Sequence, residues 1–198
     1  MKLRLLNASH QAMAYLGYLA GYRYAHEVMA DPDFRTFIAR LMDEEITPLL
    51  PPVPGIDLAE YKRTLLERFT NPKIRDTLAR LATDGSDRMP KFVLPSVREA
   101  LAQERPHRLL ILVVAGFLRY LRGVDEQGQA IAIQDTRADE LRARANDGQA
   151  DPRPLLAVQR VFGDLGQHEA WVAVLAATLS ELNARGARAT LAASLQRM

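Results

Sequence analysis

Apolar residues along this chain recur mostly at steps of three and four, the spacing of one helix face. Leu5, Leu6, Met13, Leu16, Leu19 and Ala20 form the first such stripe, which predicts a helix over residues 3 to 29. Gly17 and Gly21 lie one turn apart on it and suit the close approach of another helix. In "ADPDF", Asp31 fits an N-cap and Pro32 the first helical position. A second helix follows through Phe34, Phe37, Ile38 and Leu41, and the prolines of residues 48–55 stop it. Asp57 opens a third helix with Leu58, Tyr61, Leu65 and Leu66. "TNP" at residues 70–72 ends that helix and caps the next, which carries Ile74, Leu78 and Leu81.

Residues 83–92, "TDGSDRMPKF", have the composition of a polar loop. Pro95 starts a short helix and Pro106 a strongly apolar one. Residues 123–135 are the one stretch with a strand-like alternation, and it is short. "TRADELRARA" predicts a solvated helix. "DPRPLLAVQRVFG" and "HEAWVAVLAATLSELNARG" predict two apolar-faced helices, the second closed by Gly186, and a last segment reaches Met198. The pattern predicts an all-α fold, a single domain over residues 1–198 with roughly ten helices.

Composition narrows the function classes. The 198 residues carry a formal charge of +2 and no basic block interleaved with aromatics, which argues against a nucleic-acid partner. The absence of cysteine excludes disulfides, thiolate metal sites and a cysteine nucleophile, and is compatible with a cytoplasmic location. The most apolar run, residues 109–118, is too short to span a bilayer and is bracketed by Arg108 and Arg119, so a membrane partner is not expected. No G-x-G-x-x-G follows a strand pattern and no phosphate-binding G-x-x-x-x-G-K-[ST] occurs, so no cofactor-binding residue is assigned in this chain.

Candidate chemistry gathers at the front, in "KLRLLNASH". At about 100° per residue, Lys2, Asn7 and His10 span about 140° of a helix, with His10 between the other two. Ser9 falls off that arc, directed to solvent or backbone. The trio suits proton transfer at a carbon–oxygen bond. A lysine amine with a lowered pKa can be a general base, an amide can donate to a developing alkoxide, and an imidazole can hold a hydroxyl. None of these roles needs a metal. On spacing alone, a solvated terminal lysine and a chance trio are the better reading.

"KLRLLNASHQAMAYLGYLAG" resembles the K-x-x-x-x-N-x-x-H signature of the polyol-specific long-chain dehydrogenases, the mannitol dehydrogenase family. Lys2, Asn7 and His10 match its three positions, and residues 68–101, "RFTNPKIRDTLARLATDGSDRMPKFVLPSVREAL", look like the family's second block. The resemblance implies a helical domain like the C-terminal domain of 6-phosphogluconate dehydrogenase. It implies oxidation of a polyol or sugar acid, typically a sugar alcohol to a ketose, with hydride passed to NAD or NADP and no zinc. It assigns Lys2 as general base, Asn7 as the group polarising the reacting oxygen, and His10 as a hydroxyl-positioning group. Arg80 and Arg88 become substrate contacts, although a surface salt bridge fits each equally. Arg88 stands where the family often carries lysine.

The family places a dinucleotide-binding domain ahead of the lysine motif, so that domain is expected as the partner that holds the cofactor. Lys2, at the chain end, is expected to fray, and the chain alone is expected to be inactive. The alternative reading is a stand-alone helical module that self-associates through the face such a domain would cover. Other polar residues suit structural roles. His26, His107 and His168 lack metal-ligand spacing, Asp43, Glu44 and Glu45 suit a solvated face, and Trp171, Tyr15, Tyr18 and Tyr22 suit core or interface.

Overall fold

The first apolar stripe folds into a helix that stops earlier than its spacing predicts. In the computed structural model, which describes residues 1–52 and 54–196, helix α1 covers residues 3–17. It is wound as a π-helix over Leu3–Asn7, as an α-helix over Ala8–Ala12 and as a π-helix again over Met13–Gly17. Gly21 then turns the chain at φ 97°, a region that costs glycine little, and Tyr24 is extended. The helix expected to reach residue 29 is therefore broken, and α2 (Ala25–Ala30) starts afresh. Gly17 does provide a close approach: a Cβ there would lie 2.5 Å from Val28 Cγ2 of α2.

Helix α3 (Pro32–Arg40) is capped by Asp31, whose carboxylate accepts from the amides of Asp33 and Phe34. It runs on through a π-helical turn, Leu41–Ile46, and a 3-10 turn, Thr47–Leu49, before the prolines. Asp57 caps α4 (Leu58–Thr70) in the same way. Helix α5 (Leu78–Ala82) starts later than expected and leaves Ile74 outside it, exposed. The cause is main-chain pairing with the turn after α1. Ala25 N donates to Asp76 O and Leu78 N to Arg23 O, each at 2.9 Å, which holds residues 76–78 open until Thr77 caps the helix.

The stretch expected as a polar loop is helix α6 (Gly85–Phe92). Its start is fixed from a distance: the backbone N and Oγ of Ser86 each bond a carboxylate oxygen of Asp135 at 2.7 Å. A Cβ on Gly85 would meet Phe117 Cε2 and the Tyr15 hydroxyl at 2.7 Å, so only glycine lets this end sit against the core. Helices α7 (Leu94–Ala102) and α8 (Arg108–Tyr120) follow, the second almost wholly buried. Glu45, expected on a solvated face, is 2% exposed. Its two oxygens accept from the amides of Leu109 and Leu110 at 2.8 Å, occupying donors that the first turn of α8 cannot use internally. Asp43 and Glu44 do face outward, paired with Lys62 and Arg40.

Residues 123–135 form no strand; one isolated bridge joins Val124 and Ala130. Helix α9 (Ala138–Gly148) is mostly exposed but buries Leu141 and Ala145. The next predicted helix is two short ones, α10 (Arg153–Leu156) and α11 (Gln159–Phe162), because Val158 leaves helical geometry between them. Helix α12 (Glu169–Gln196) is interrupted at Gly186, whose φ 80° and ψ 168° are not helical, so its first part closes there as expected and a second helical part follows. The last residues of the segment expected to reach Met198 lie outside the described ones. Among the described residues every regular element is helical and none is a strand, the all-α fold expected. Helices α8 and α12 pack along each other at the centre, and one contiguous apolar core, with Tyr15, Phe117 and Trp171 in it, joins nearly all the helices. No helix of the described residues is long and apolar enough to cross a membrane.

Candidate functional site

The front of α1 forms one wall of a cavity of about 340 Å³. α1 contributes Lys2, Leu6, Asn7, His10 and Gln11; α5 contributes Arg80 and Leu81; α6 contributes Arg88 and Phe92. The five residues expected from sequence, Lys2, Asn7, His10, Arg80 and Arg88, thus line one space, although the two groups are some seventy positions apart in the chain. The π-helical winding of Leu3–Asn7 helps to bring this about. Hydrogen bonds reaching five residues along a helix draw residues five apart toward one face, where a regular helix would separate them by about 140°.

The turn that carries Lys2 is joined to its surroundings by main-chain and side-chain bonds. Leu5 N and Arg4 N donate to Met1 O at 3.0 and 3.1 Å. Arg4 pairs with Glu99 of α7 and donates to Leu49 O. Lys2 itself is exposed, while Asn7 and His10 are half-buried. Ser9 is the correction on this helix: it is fully buried, and its Oγ has no hydrogen-bond partner among the described residues. The face opposite the cavity is the one that α1 packs into the core, beside Leu5, Ala8 and Ala12.

His10 lies against the Phe69 ring, centroids 5.0 Å apart. Burial lowers its pKa from 6.5 to about 4; the cations Arg80, Arg68 and Arg88 push the same way, against the opposing pull of Asp76. At neutral pH the imidazole is therefore uncharged and presents one donor and one acceptor nitrogen. Arg80 meets both of its expected descriptions, since it pairs with Asp76 across one turn and also lines the cavity. Arg88 donates through Nη1 to the main-chain carbonyls of Leu81, at 3.0 Å, and Arg80, at 3.3 Å. The lining holds an ammonium, two amides, an imidazole and two guanidinium groups, and no carboxylate. Such a set suits a small molecule rich in hydroxyl or carbonyl oxygens, on one of which negative charge develops.

Sequence reasoning passed over Gln11, Asp76 and Phe69. Gln11 carried the best available signal, one helical turn after Asn7 on the same face. His26, His107 and His168 do not gather into a site; among the described residues no group of three His, Asp or Glu side chains could hold a metal ion.

The model of the mannitol dehydrogenase C-terminal domain family matches residues 1–183. The chain belongs to that family. It is 48% identical to a mannitol 2-dehydrogenase of Phaeosphaeria nodorum over 97% of this chain, but over 34% of the length of that relative. Among solved structures, it superposes on a ternary complex of Pseudomonas fluorescens mannitol 2-dehydrogenase with NAD and D-mannitol. The TM-score is 0.96 at 41% identity, covering all of this chain and 40% of the other. A substrate-free D-sorbitol dehydrogenase shares the fold, with TM-score 0.84 at 22% identity over 96% of this chain and 39% of the other. The chain spans between a third and two fifths of the length of these relatives. In this mannitol dehydrogenase C-terminal domain, Lys2, Asn7 and His10 line the cavity from the front of the chain, and Arg80 and Arg88 line it from the helices that face them.

Proposed function

We propose that residues 1–198 form one substrate-binding and catalytic domain of a polyol dehydrogenase that interconverts a sugar alcohol of the mannitol type and its ketose. A sugar acid is the second substrate class the cationic lining would accept. The observation that carries this reading is the convergence of Lys2, Asn7, His10, Arg80 and Arg88 on one cavity with no carboxylate in its lining. In the oxidation, Lys2 Nζ takes the proton from the reacting hydroxyl, whose oxygen becomes the carbonyl as the carbon loses its hydride. The Asn7 amide donates to that oxygen while charge builds on it. Neutral His10 exchanges hydrogen bonds with a neighbouring hydroxyl, and Arg80 and Arg88 hold hydroxyls further along the substrate.

The residues present fit the substrate and not the dinucleotide, whose phosphates need a glycine-rich turn between strand and helix that the described residues lack. NAD or NADP, held by a further domain, accepts the hydride in this reading. Leu3, beside Lys2 and 52% exposed, fits a surface on which that domain docks. A cytoplasmic location fits a chain without cysteine.

The test joins this chain to the dinucleotide-binding part of a mannitol 2-dehydrogenase and follows NAD or NADP reduction with D-mannitol, D-arabinitol and a sugar acid. Turnover with one of these, and none from this chain alone, is the expected result. A folded fusion that turns over none of them overturns the reading. Light scattering on the chain alone separates domain docking from a self-associating module, which would run as a dimer or larger.

A further inference from the structure

Gln11 is the polar side chain of the cavity wall that the proposed chemistry leaves without a task. It is 1% exposed, and both ends of its amide are engaged. Oε1 accepts from the Tyr15 hydroxyl at 2.7 Å, and Nε2 donates to Leu81 O at 3.0 Å. The orientation of the amide is fixed by chemistry, because a carbonyl oxygen can only accept and so must face the NH₂ end. Tyr15 is itself locked, fully buried, with its ring against Phe117 and Tyr120 at centroid separations of 4.9 and 5.3 Å.

The receiving carbonyl is informative. Leu81 lies in the last turn of α5, where carbonyls have no amide ahead of them within the helix. Left bare in a buried place, such an oxygen costs about 1–3 kcal/mol. Gln11 Nε2 and Arg88 Nη1 both donate to it, each at 3.0 Å. One oxygen therefore ties together α1 with the proton-handling trio, α5 with Arg80, and α6 with Arg88.

We infer that Gln11 is a positioning residue of the site: through the Leu81 carbonyl it fixes the Arg88 guanidinium, and the end of α5, relative to the Lys2–Asn7–His10 face. The role rests on the reading of the cavity as a polyol site. With Gln11 in place, the Leu81 oxygen is held between the amide and the guanidinium, which also reaches Arg80 O at 3.3 Å, so the shorter of the two bonds that seat Arg88 depends on Gln11. Without it, the carbonyl can turn, and the guanidinium gains rotational freedom that substrate must remove on binding.

Two measurements test this. In this chain, the side-chain N–H resonances of Arg88 report directly on its seat. Restricted guanidinium rotation is expected in the wild type and its release in Gln11→Met. The same release is expected in Gln11→Leu, which offers Leu81 no donor and Arg88 no acceptor. Free rotation in the wild type, or unchanged restriction in both folded variants, overturns the inference. In the active fusion, Gln11→Met should raise KM for the polyol about tenfold while kcat falls far less. Adding Gln11→Met to Arg88→Met should change KM little further, since the two act through one oxygen. Additive effects in that cycle mean that Gln11 is merely structural. An inactive wild-type fusion sinks the functional reading, while the resonance measurement still decides the role of Gln11.

Discussion

Helices α6 and α8 begin alike and are held by opposite means. Each has its first amides capped by a carboxylate from a distant segment, Asp135 for α6 and Glu45 for α8. Behind the cap they diverge. Helix α8 buries all of its side chains except those at Arg108 and Arg119, so the hydrophobic effect alone would fix its position. Helix α6 reads Gly-Ser-Asp-Arg-Met-Pro-Lys-Phe and buries only Gly85, Ser86 and Met89. It is held by named polar contacts, and that leaves Arg88 available to the cavity. The core is held mainly by apolar area, with a few buried polar groups such as Ser9 and Glu45; the cavity wall displays polar groups and depends on individual bonds to stay in place.

The sharpest way to test this division is to damage each side and ask which property fails. Phe117→Ala on α8 removes a ring packed on Tyr15 and Phe162 and should cost about 3–5 kcal/mol of folding free energy, read by denaturant unfolding. That is a large share of the stability of an ordinary domain. Lys2→Ala should do the reverse. The turnover of the fusion should fall by about 10²–10⁴, the usual contribution of a general base, with the thermal midpoint of the chain unmoved. A matching loss of stability would show that Lys2 belongs to the framework.

A smaller effect lies between the two. Asp135→Ala removes the cap of α6 and should cost about 1–2 kcal/mol, together with a raised KM for polyol as Arg88 shifts. The same loss of stability with an unchanged KM would show that α6 is positioned by something other than its cap.

The mildest test is pH, where the two regions should respond with opposite sign. His10 is held at about 4, below its ordinary 6.5. As pH falls between those values the unfolded chain takes up a proton that the folded chain refuses, so stability is lost. Burial raises the carboxyl of Glu45 above its ordinary value of 4.5, although the Leu109 and Leu110 amides pull it down. The folded chain there keeps a proton that the unfolded one releases, so this contribution is lost as pH rises from 4.5 through the folded value. Unfolding curves from about pH 4 to about pH 7 should show a shallower acid loss in His10→Gln than in wild type. An unchanged slope in His10→Gln would mean that the imidazole is hydrated in the folded state.

Much of this was legible in the chain. Apolar spacing gave the helical class, Asp31 and Asp57 marked helix starts, and the nine-residue run at the front named Lys2, Asn7 and His10. What escaped shares one physical cause. Glu45, Gln11 and Asp135 are polar residues whose partners lie 64, 70 and 49 positions away. Nothing in a local window separates a carboxylate that caps a buried helix from its solvated neighbours Asp43 and Glu44. The early end of α1 escaped for a related reason, since the pull on residues 23–25 comes from the main chain of residues 76–78.

By itself, then, the sequence determined the all-α class and the apolar-faced helices, because the periodicity of a buried face is a property of a single element and its side chains. It also offered Lys2, Asn7 and His10 as candidates for the chemistry, on residue type, short spacing and the resemblance to a known family. Only the tertiary structure decided that the N-terminal trio and the two arginines face one space, that a polar stretch is a helix, and that one carbonyl at the end of α5 joins three elements. Those are contacts between distant segments, fixed by the mutual saturation of polar groups that the fold removes from water.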